Sequence, residues 1–221
     1  MRISGNNKII MNKYKNFFFY CGILLFASEI WKQVCLTYLN NGHYNWWYFP
    51  FQLCSIPMYV CLAVPFVNSE KVRKILFTFL MDFGLIAGTF TFFDTTGLHY
   101  SYAPLTVHSF AWHILLIIIG IRAGFSKKAD YSGKGFTGSL LIFLACCLLA
   151  TVFNLAFYQY GMINMFYISP HYNMTQIVFI HIARRFGNAV GIFVYIASII
   201  FGACVLHMMW SRLSDKLHAF S

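Results

Sequence analysis

Apolar runs longer than ~18 residues recur along this sequence, and no other feature constrains its fold as strongly. Wound as an α-helix, a run of that length crosses the hydrocarbon core of a bilayer. Because 59% of the 221 residues are hydrophobic and only 10% are charged, the chain lacks the polar surface of a soluble domain. We therefore predict an all-α, polytopic membrane helix bundle that forms a single domain over residues 1–221. Six transmembrane helices are predicted, at Tyr14–Tyr38, Pro50–Val67, Val72–Phe93, Pro104–Ala123, Phe136–Tyr158 and Phe186–Trp210.

The basic residues alternate between the two sides of this predicted bundle. They lie before span one, between spans two and three, between spans four and five, and after span six. The other connections contain only Arg184 and Arg185, so the positive-inside rule predicts that both termini are cytoplasmic. Topology thus accounts for the net charge of +10, and no nucleic-acid partner is predicted. The alternating residues are Arg2, Lys8, Lys13, Lys15, Lys71, Arg73, Lys74, Arg122, Lys127, Lys128, Lys134, Arg212 and Lys216.

The stretch Trp46–Pro65 contains the residue on which the functional interpretation depends. Its aromatic start is typical of a membrane interface, and it leads into a helix predicted to begin at Pro50. Cys54 follows one turn later. Pro57, inside that helix, is expected to free the carbonyl of Leu53 beside the thiol, because proline has no N–H to donate.

Charged residues within the predicted spans are costly in hydrocarbon and therefore mark candidate sites. Glu29 and Lys32 lie three residues apart on one face of span one, where they can pair. Asp82, near the middle of span three, needs a partner from another helix. Gly84-x-x-x-Gly88 follows it as a ridge of small residues suited to close helix packing. For the charged residues, a substrate-binding interpretation stands beside a structural one, which is snorkelling or packing.

A thiol and an imidazole lie at the same depth in the predicted bundle. At 1.5 Å per residue, Cys54 and His108 both lie ~6 Å below the outer ends of their spans, and His113 lies ~13 Å deep. A histidine at the depth of a cysteine can take its proton and make the sulfur a nucleophile towards an ester. Gln52 and Asn154 are candidates for holding the substrate or stabilising an oxyanion. The structural alternative is a buried cysteine and a packing histidine.

The two histidines of span four are predicted to face different directions. Five residues apart on a helix correspond to about 140° of rotation, so His108 and His113 are not expected to share one cavity. The sequence leaves open which of them faces Cys54.

Two arginines follow an apolar stretch, QIVFIHIA, that is too short to span a membrane. This stretch is predicted either to form a short interfacial helix or to extend span six. Guanidinium groups bind phosphate in bidentate fashion. Arg184 and Arg185 are therefore candidate ligands of a lipid headgroup, and the alternative is ordinary interfacial snorkelling.

Three segments carry a resemblance to a known family: W-W-Y-F-P-F-Q-L-C-S-I-P-M-Y in Trp46–Tyr59, H-S-F-A-W-H in His108–His113, and N-M-F-Y-I-S-P in Asn164–Pro170. In these segments the chain resembles the YwaF-type (transmembrane protein 164 related) family of bacterial integral membrane proteins. That family is similar to a eukaryotic transmembrane acyltransferase of ether-lipid remodelling. The resemblance implies a six- or seven-helix fold in a bacterial cell membrane and an acyl-carrying cysteine assisted by a histidine. Those roles would fall on Cys54 and on His113 or His108.

The sequence predicts two alternative functions. The first is a lipid acyltransferase or acyl hydrolase whose Cys54 forms an acyl-cysteine intermediate on the outer-leaflet side, with membrane lipids as partners. The alternative is a non-enzymatic transporter, or a small-molecule or lipid-binding protein, that uses Glu29, Lys32, Asp82 and the two arginines. No metal and no cofactor are predicted, since no C-x-x-C pair is present and the histidines do not supply an obvious haem-ligand pair. The sequence does not indicate an oligomeric state.

Overall fold

The computed structural model describes the backbone of residues 3–219 and the side chains of residues 16–216. Within that part of the chain, helices and turns form the fold and there are no strands. Arg2 and the side chains of Lys8, Lys13 and Lys15, on which the topology prediction partly depends, lie outside the described residues. The helices are α1 (Ile3–Leu39), α2 (Leu53–Phe66), α3 (Glu70–Phe92), α4 (Ala103–Phe125), α5 (Gly133–Phe157), α6 (Ile177–Phe186) and α7 (Asn188–Ala219).

Five helices of the described chain are long and apolar enough to cross a membrane, namely α1 from Asn16 onwards, α3, α4, α5 and α7. They match five of the six predicted spans, and they identify an integral membrane protein. Helix α2 corresponds to the predicted second span but has fewer than 18 residues. At 1.5 Å per residue it reaches only ~20 Å, less than the ~30 Å hydrocarbon core. Six spans are therefore not confirmed, and the cytoplasmic position of the termini stays a prediction.

The start of α2 differs from its prediction. The helix begins at Leu53 with a tight 3₁₀ turn, and Pro57 lies in the first turn of its α-helical part, where proline needs no N–H partner. The Leu53 carbonyl accepts a hydrogen bond from the Ile56 N–H. The predicted helix start at Pro50 and the predicted free carbonyl of Leu53 are therefore wrong, because the irregular first turn shifts the register in which Pro57 was placed.

Helix α3 is irregular where it carries its buried charge. Leu80–Gly84 forms a π-helical turn that contains Asp82, and such turns are frequent at functional or strained positions of a helix. One turn later, a Cβ on Gly88 would lie 3.0 Å from the Ile117 backbone nitrogen. The predicted small-residue ridge thus allows α3 and α4 to pack closely at Gly88.

The apolar stretch before the last span forms its own helix, α6, which ends where Gly187 adopts a φ of +97°. That left-handed conformation favours glycine and lets the chain turn directly into α7. Helix α6 then packs against α7, since a Cβ on Gly191 would lie 2.7 Å from the Ala183 Cβ. Of the two sequence alternatives, the separate short helix is the one observed.

The outer surface of the bundle is apolar where a membrane protein meets lipid. Leu141, Leu148 and Leu155 recur at seven-residue spacing on one face of α5, and each is 49–67% exposed. The opposite side contributes to a core rich in aromatic rings, in which Phe83 and Phe143 stack at 4.7 Å between centroids. Exposed leucine rows suit hydrocarbon contact, so this surface agrees with several passes through a membrane.

Candidate functional site

Cys54 lies in the 3₁₀ turn Leu53–Ser55 and is half-buried. Its carbonyl accepts a hydrogen bond of 3.1 Å from the indole Nε1 of Trp112 in the middle of α4. Because Trp112 is itself buried, this bond fixes the cysteine turn against α4 within the bundle.

Trp112 also brings charged and titratable groups near this turn. Its ring centroid is 5.7 Å from the His108 ring, and the Lys32 ammonium lies 5.9 Å from the Trp112 ring. Cys54 interacts electrostatically with Lys32 and Glu29. We call Glu29, Lys32, Cys54, His108 and Trp112 the Cys54 cluster.

His108 is the histidine that shares a helix face with Trp112, because residues four apart on a helix lie one above the other. Its ring stands between Trp112 and Trp31, with 5.5 Å between the His108 and Trp31 centroids. The Nε2 atom is buried and has no hydrogen-bond partner among residues 16–216. A buried imidazole nitrogen without a partner is unusual, since buried polar atoms are nearly always paired.

His113 has a different environment. Its Nδ1–H donates a 2.7 Å hydrogen bond to the Ser109 carbonyl, which can only accept, so the remaining lone pair is on Nε2. The side chain is buried in α4, and its backbone carbonyl lies close to Gly88 of α3. In the described side chains, no hydrogen bond joins the Cys54 thiol to His108 or to His113. Such bonds are often long before substrate binds.

Glu29 and Lys32 form a buried ion pair. Glu29 is 3% exposed, and its Oε2 lies 2.8 Å from the Lys32 ammonium. Gln33 Nε2 donates a hydrogen bond to Glu29 Oε1 and another to the Tyr48 carbonyl, each at 2.6 Å. Charges at such depth persist only when paired and hydrogen-bonded. The ion pair is therefore held within the bundle, where it interacts with Cys54.

Gln52 and Asn154 contact one loop, which follows α5. Gln52 Oε1 accepts from the Phe166 N–H at 2.7 Å, and its Nε2 donates to the Asn164 carbonyl at 3.0 Å. Asn154 Oδ1 accepts from the Met165 N–H at 2.7 Å, and its Nδ2 donates to the Met165 carbonyl at 3.0 Å. We call Gln52 and Asn154 the amide clamp, because each holds the loop backbone by two hydrogen bonds.

The clamped loop contains two consecutive non-glycine residues with left-handed backbone, Phe166 (φ +57°) and Tyr167 (φ +58°). Such conformations cost about 1–3 kcal/mol each and cluster at functional positions. Burial raises the pKa of Tyr167 to about 12, and the interaction with Cys54 adds to that rise. Burial, followed by Tyr48 and Cys54, raises the pKa of Tyr100 as well. Both phenols are thus hydrogen-bond donors at neutral pH.

Asp82 lies in a separate polar group. Its Oδ2 is 2.9 Å from Nδ1 of His207 in α7 and accepts a longer hydrogen bond from Ser139 at 3.4 Å. The His207 Nε2–H donates to the Ser132 carbonyl at 3.1 Å, at the start of α5. We call Asp82, Ser132, Ser139 and His207 the Asp82 cluster. His207 is not among the site residues predicted from the sequence, although an imidazole in an otherwise apolar span was the available signal for a partner of Asp82.

Arg184 and Arg185 lie in the last turn of α6 and are exposed. The guanidinium of Arg185 lies 5.6 Å from the Phe186 ring centroid. Within the described residues, no hydrogen bond or ion pair joins either arginine to the Cys54 cluster. Across the same residues, no three His, Cys, Asp or Glu side chains are grouped in a way that would hold a metal ion.

Comparison with known proteins gives one match. A sequence model of the TMEM164 family matches residues 4–211, which is almost the whole chain. No curated protein and no solved structure matches the chain. Because this match covers most of the chain, and the five membrane-capable helices agree with a transmembrane family, the chain belongs to the TMEM164 family.

Proposed function

We propose that this integral membrane protein is a lipid acyltransferase or acyl hydrolase in which Cys54 carries the acyl group. The observation that carries the proposal is the position of Trp112. This single indole binds the Cys54 carbonyl, while its ring contacts His108 and lies beneath the Lys32 ammonium. A nucleophile, a base and a positive charge are therefore held around one rigid side chain.

In the first half of the reaction, His108 Nε2 takes the proton of the Cys54 thiol. The sulfur forms a bond to the carbonyl carbon of a phospholipid ester, and the carbonyl electron pair moves to oxygen. When that pair returns, the carbon–oxygen bond breaks, and the lysolipid oxygen takes the proton from His108. The products are an acyl-cysteine and a lysolipid.

The second half runs in the reverse sense with a new acceptor. A lysolipid hydroxyl or a water gives its proton to His108 and attacks the thioester carbon. The carbon–sulfur bond breaks, and the Cys54 sulfur recovers the proton. Lys32 favours the thiolate in both halves by its positive charge, which the Glu29 carboxylate moderates.

His108 is the better candidate for the base on two grounds. It shares the Trp112 face of α4, and its Nε2 has no other hydrogen-bond partner in the described chain. His113, by contrast, uses Nδ1 to bind the Ser109 carbonyl and lies against α3. His113 is then a residue that packs α4 against α3.

The membrane setting completes the proposal. The alternating basic residues and the resemblance of Trp46–Tyr59 to YwaF-type proteins support a single domain in a bacterial cell membrane. In that orientation the Cys54 cluster faces the outer leaflet, at the depth where glycerol esters lie. Membrane lipids are then both the solvent and the substrate.

The test is acyl exchange by the purified full chain in phospholipid nanodiscs. Cys54→Ala should abolish exchange and the hydroxylamine-sensitive acyl adduct, whereas Cys61→Ala should retain both. Cys61 is the matched control because it lies in the same helix and is fully buried. Equal exchange by the two variants would remove the proposal.

A second candidate is favoured by the buried ion pair. Glu29 and Lys32 are only 3–16% exposed, and such a pair can bind a polar small molecule in a transporter or lipid-binding protein. Uptake or binding that survives Cys54→Ala and fails in Glu29→Gln would support this function over the enzyme.

A further inference from the structure

The turn at Phe166 and Tyr167 combines left-handed backbone with burial, since Phe166 is buried and Tyr167 is half-buried. Two aromatic residues in succession occupy the left-handed region, with φ values of +57° and +58°. Glycine is the residue that fits such positions without a steric penalty. Aromatic residues persist there only when neighbouring contacts determine the conformation, and such positions cluster at functional sites.

The neighbouring contacts come from the amide clamp. Gln52 immediately precedes the cysteine turn, so its two hydrogen bonds join the backbone at Asn164 and Phe166 directly to the segment that holds Cys54. Asn154 fixes the residue between them from α5. The turn therefore has a fixed position relative to Cys54.

Tyr167 lies near the cysteine turn, because the N–H of the preceding residue, Phe166, is bound by Gln52. Its ring contacts Trp47 at 6.0 Å between centroids, and its phenol interacts electrostatically with Cys54. Within residues 16–216 its hydroxyl takes part in no hydrogen bond. Because burial raises the pKa of this phenol to about 12, it stays protonated at neutral pH and can donate.

We propose that the Tyr167 hydroxyl donates a hydrogen bond to the ester carbonyl oxygen while Cys54 attacks, and that Gln52 and Asn154 are positioning residues for it. This inference rests on the acyl transfer proposed above. Negative charge appears on that oxygen when the carbon–sulfur bond forms and disappears when the carbon–oxygen bond breaks. A donor fixed in advance stabilises this charge without rearranging during the reaction.

The same inference accounts for the two amides beside the cysteine. Each uses its oxygen and its nitrogen on the loop backbone. Holding the loop is therefore their contribution to the reaction, and the contact to the substrate belongs to Tyr167.

The experiment compares two reactions of the same thiol in nanodiscs of phosphatidylcholine. Acylation of Cys54 by the lipid passes through an oxyanion, whereas alkylation by iodoacetamide attacks a saturated carbon and does not. Tyr167→Phe removes only the hydroxyl. Tyr172→Phe is the matched control, because the Tyr172 hydroxyl donates to the Gly161 carbonyl in the same loop region.

We expect Tyr167→Phe to slow acylation at least tenfold and to leave alkylation within twofold, as removal of one oxyanion donor costs about 10²–10³-fold in rate. Tyr172→Phe should change neither reaction. Gln52→Leu and Asn154→Leu should also lower acylation more than alkylation, because the loop no longer holds the phenol in place.

Three other outcomes would each overturn the inference. Full-rate acylation by Tyr167→Phe overturns the inference and leaves the proposed function standing, provided that Cys54→Ala is inactive. An equal fall in acylation and alkylation also overturns it, since the hydroxyl would then act on the thiol or on access. A wild-type protein that acquires no acyl group at Cys54 overturns both this inference and the proposed function.

Discussion

The Cys54 cluster and the Asp82 cluster contain similar side chains but differ in whether the ring nitrogens of their histidine are hydrogen-bonded. Each combines a histidine with a buried carboxylate inside an apolar helix bundle. In the Asp82 cluster, both ring nitrogens of His207 are hydrogen-bonded, one to Asp82 and one to the Ser132 carbonyl. In the Cys54 cluster, the Nε2 atom of His108 has no partner in the described chain.

Hydrogen bonding therefore distinguishes polar groups that stabilise the fold from polar groups that are free to bind a substrate. A histidine whose two nitrogens are both bound joins α3, α5 and α7, and removing it should cost stability. One with a free nitrogen stabilises little and remains available to a substrate. The Asp82 Oδ1 atom, which is buried without a partner among the described residues, is the exception within the saturated cluster.

The largest expected effect separates the two histidines by activity. His108→Ala should lower the rate of acyl exchange by about 10²–10⁴-fold, because general-base catalysis supplies a factor of that order. His181→Ala, an exposed histidine of α6, is the control and should exchange at the wild-type rate. Initial rates in nanodiscs measure both. An active His108→Ala variant together with an inactive His113→Ala variant would transfer the role to His113.

The Asp82 cluster should respond in stability. Asp82→Ala leaves His207 Nδ1 buried without a partner, and breaking a buried pair costs about 3–5 kcal/mol. D82N should lose less, since its amide can donate to Nδ1 while Nε2–H stays on Ser132. The free energy of unfolding in mixed SDS micelles measures both variants, and Asp215→Ala at an exposed position of α7 is the control. A loss below about 0.5 kcal/mol in Asp82→Ala would contradict a structural role.

The sequence predicts the long helices well because their apolar runs determine them directly. Five predicted spans coincide with membrane-capable helices, and the separate charged residues of α1 do pair. Local irregularity is where prediction fails. A 3₁₀ turn at Leu53 moved Pro57 into the first turn of α2, and nothing in the sequence distinguishes that start from one at Pro50.

Long-range pairing is the other limit. Asp82 and His207 are 125 residues apart, and Gln52 and Phe166 are 114 apart. Hydropathy gives the depth of a residue and leaves its rotation about the helix axis unknown, so it cannot say which polar groups meet. The left-handed turn at Phe166 and Tyr167 carried no sequence signal at all, because neither residue is glycine.

A smaller effect is expected from the amide clamp. Its amides are hydrogen-bonded through oxygen and nitrogen, as the His207 ring is through both nitrogens, but Gln52 adjoins the cysteine turn. Asn154→Leu leaves the buried Met165 N–H without a partner and removes one of the two donors to the Met165 carbonyl, which still accepts from the Ile168 N–H. We expect a loss of about 1–3 kcal/mol of unfolding free energy. Amide hydrogen exchange should rise at residues 164–169 and stay unchanged around His207. Thr151→Val, one turn earlier on α5, loses only a bond to its own helix at Cys147 and serves as the control. Equal exchange in the loop of both variants would show that other contacts hold it.

The smallest effect is expected from the two arginines, which lie outside both clusters. Replacing Arg184 and Arg185 by glutamine should change the rate of acyl exchange less than about twofold, because exposed charges contribute under ~1 kcal/mol and are screened by salt. Any change should appear in KM with anionic phospholipid donors and vanish with phosphatidylcholine, since the guanidinium groups can attract a headgroup without contacting the reacting ester. The measurement is exchange at low and at physiological salt, with Lys216→Gln on α7 as the control. A tenfold loss of kcat with phosphatidylcholine would contradict this separation and would place the arginines in functional contact with Cys54.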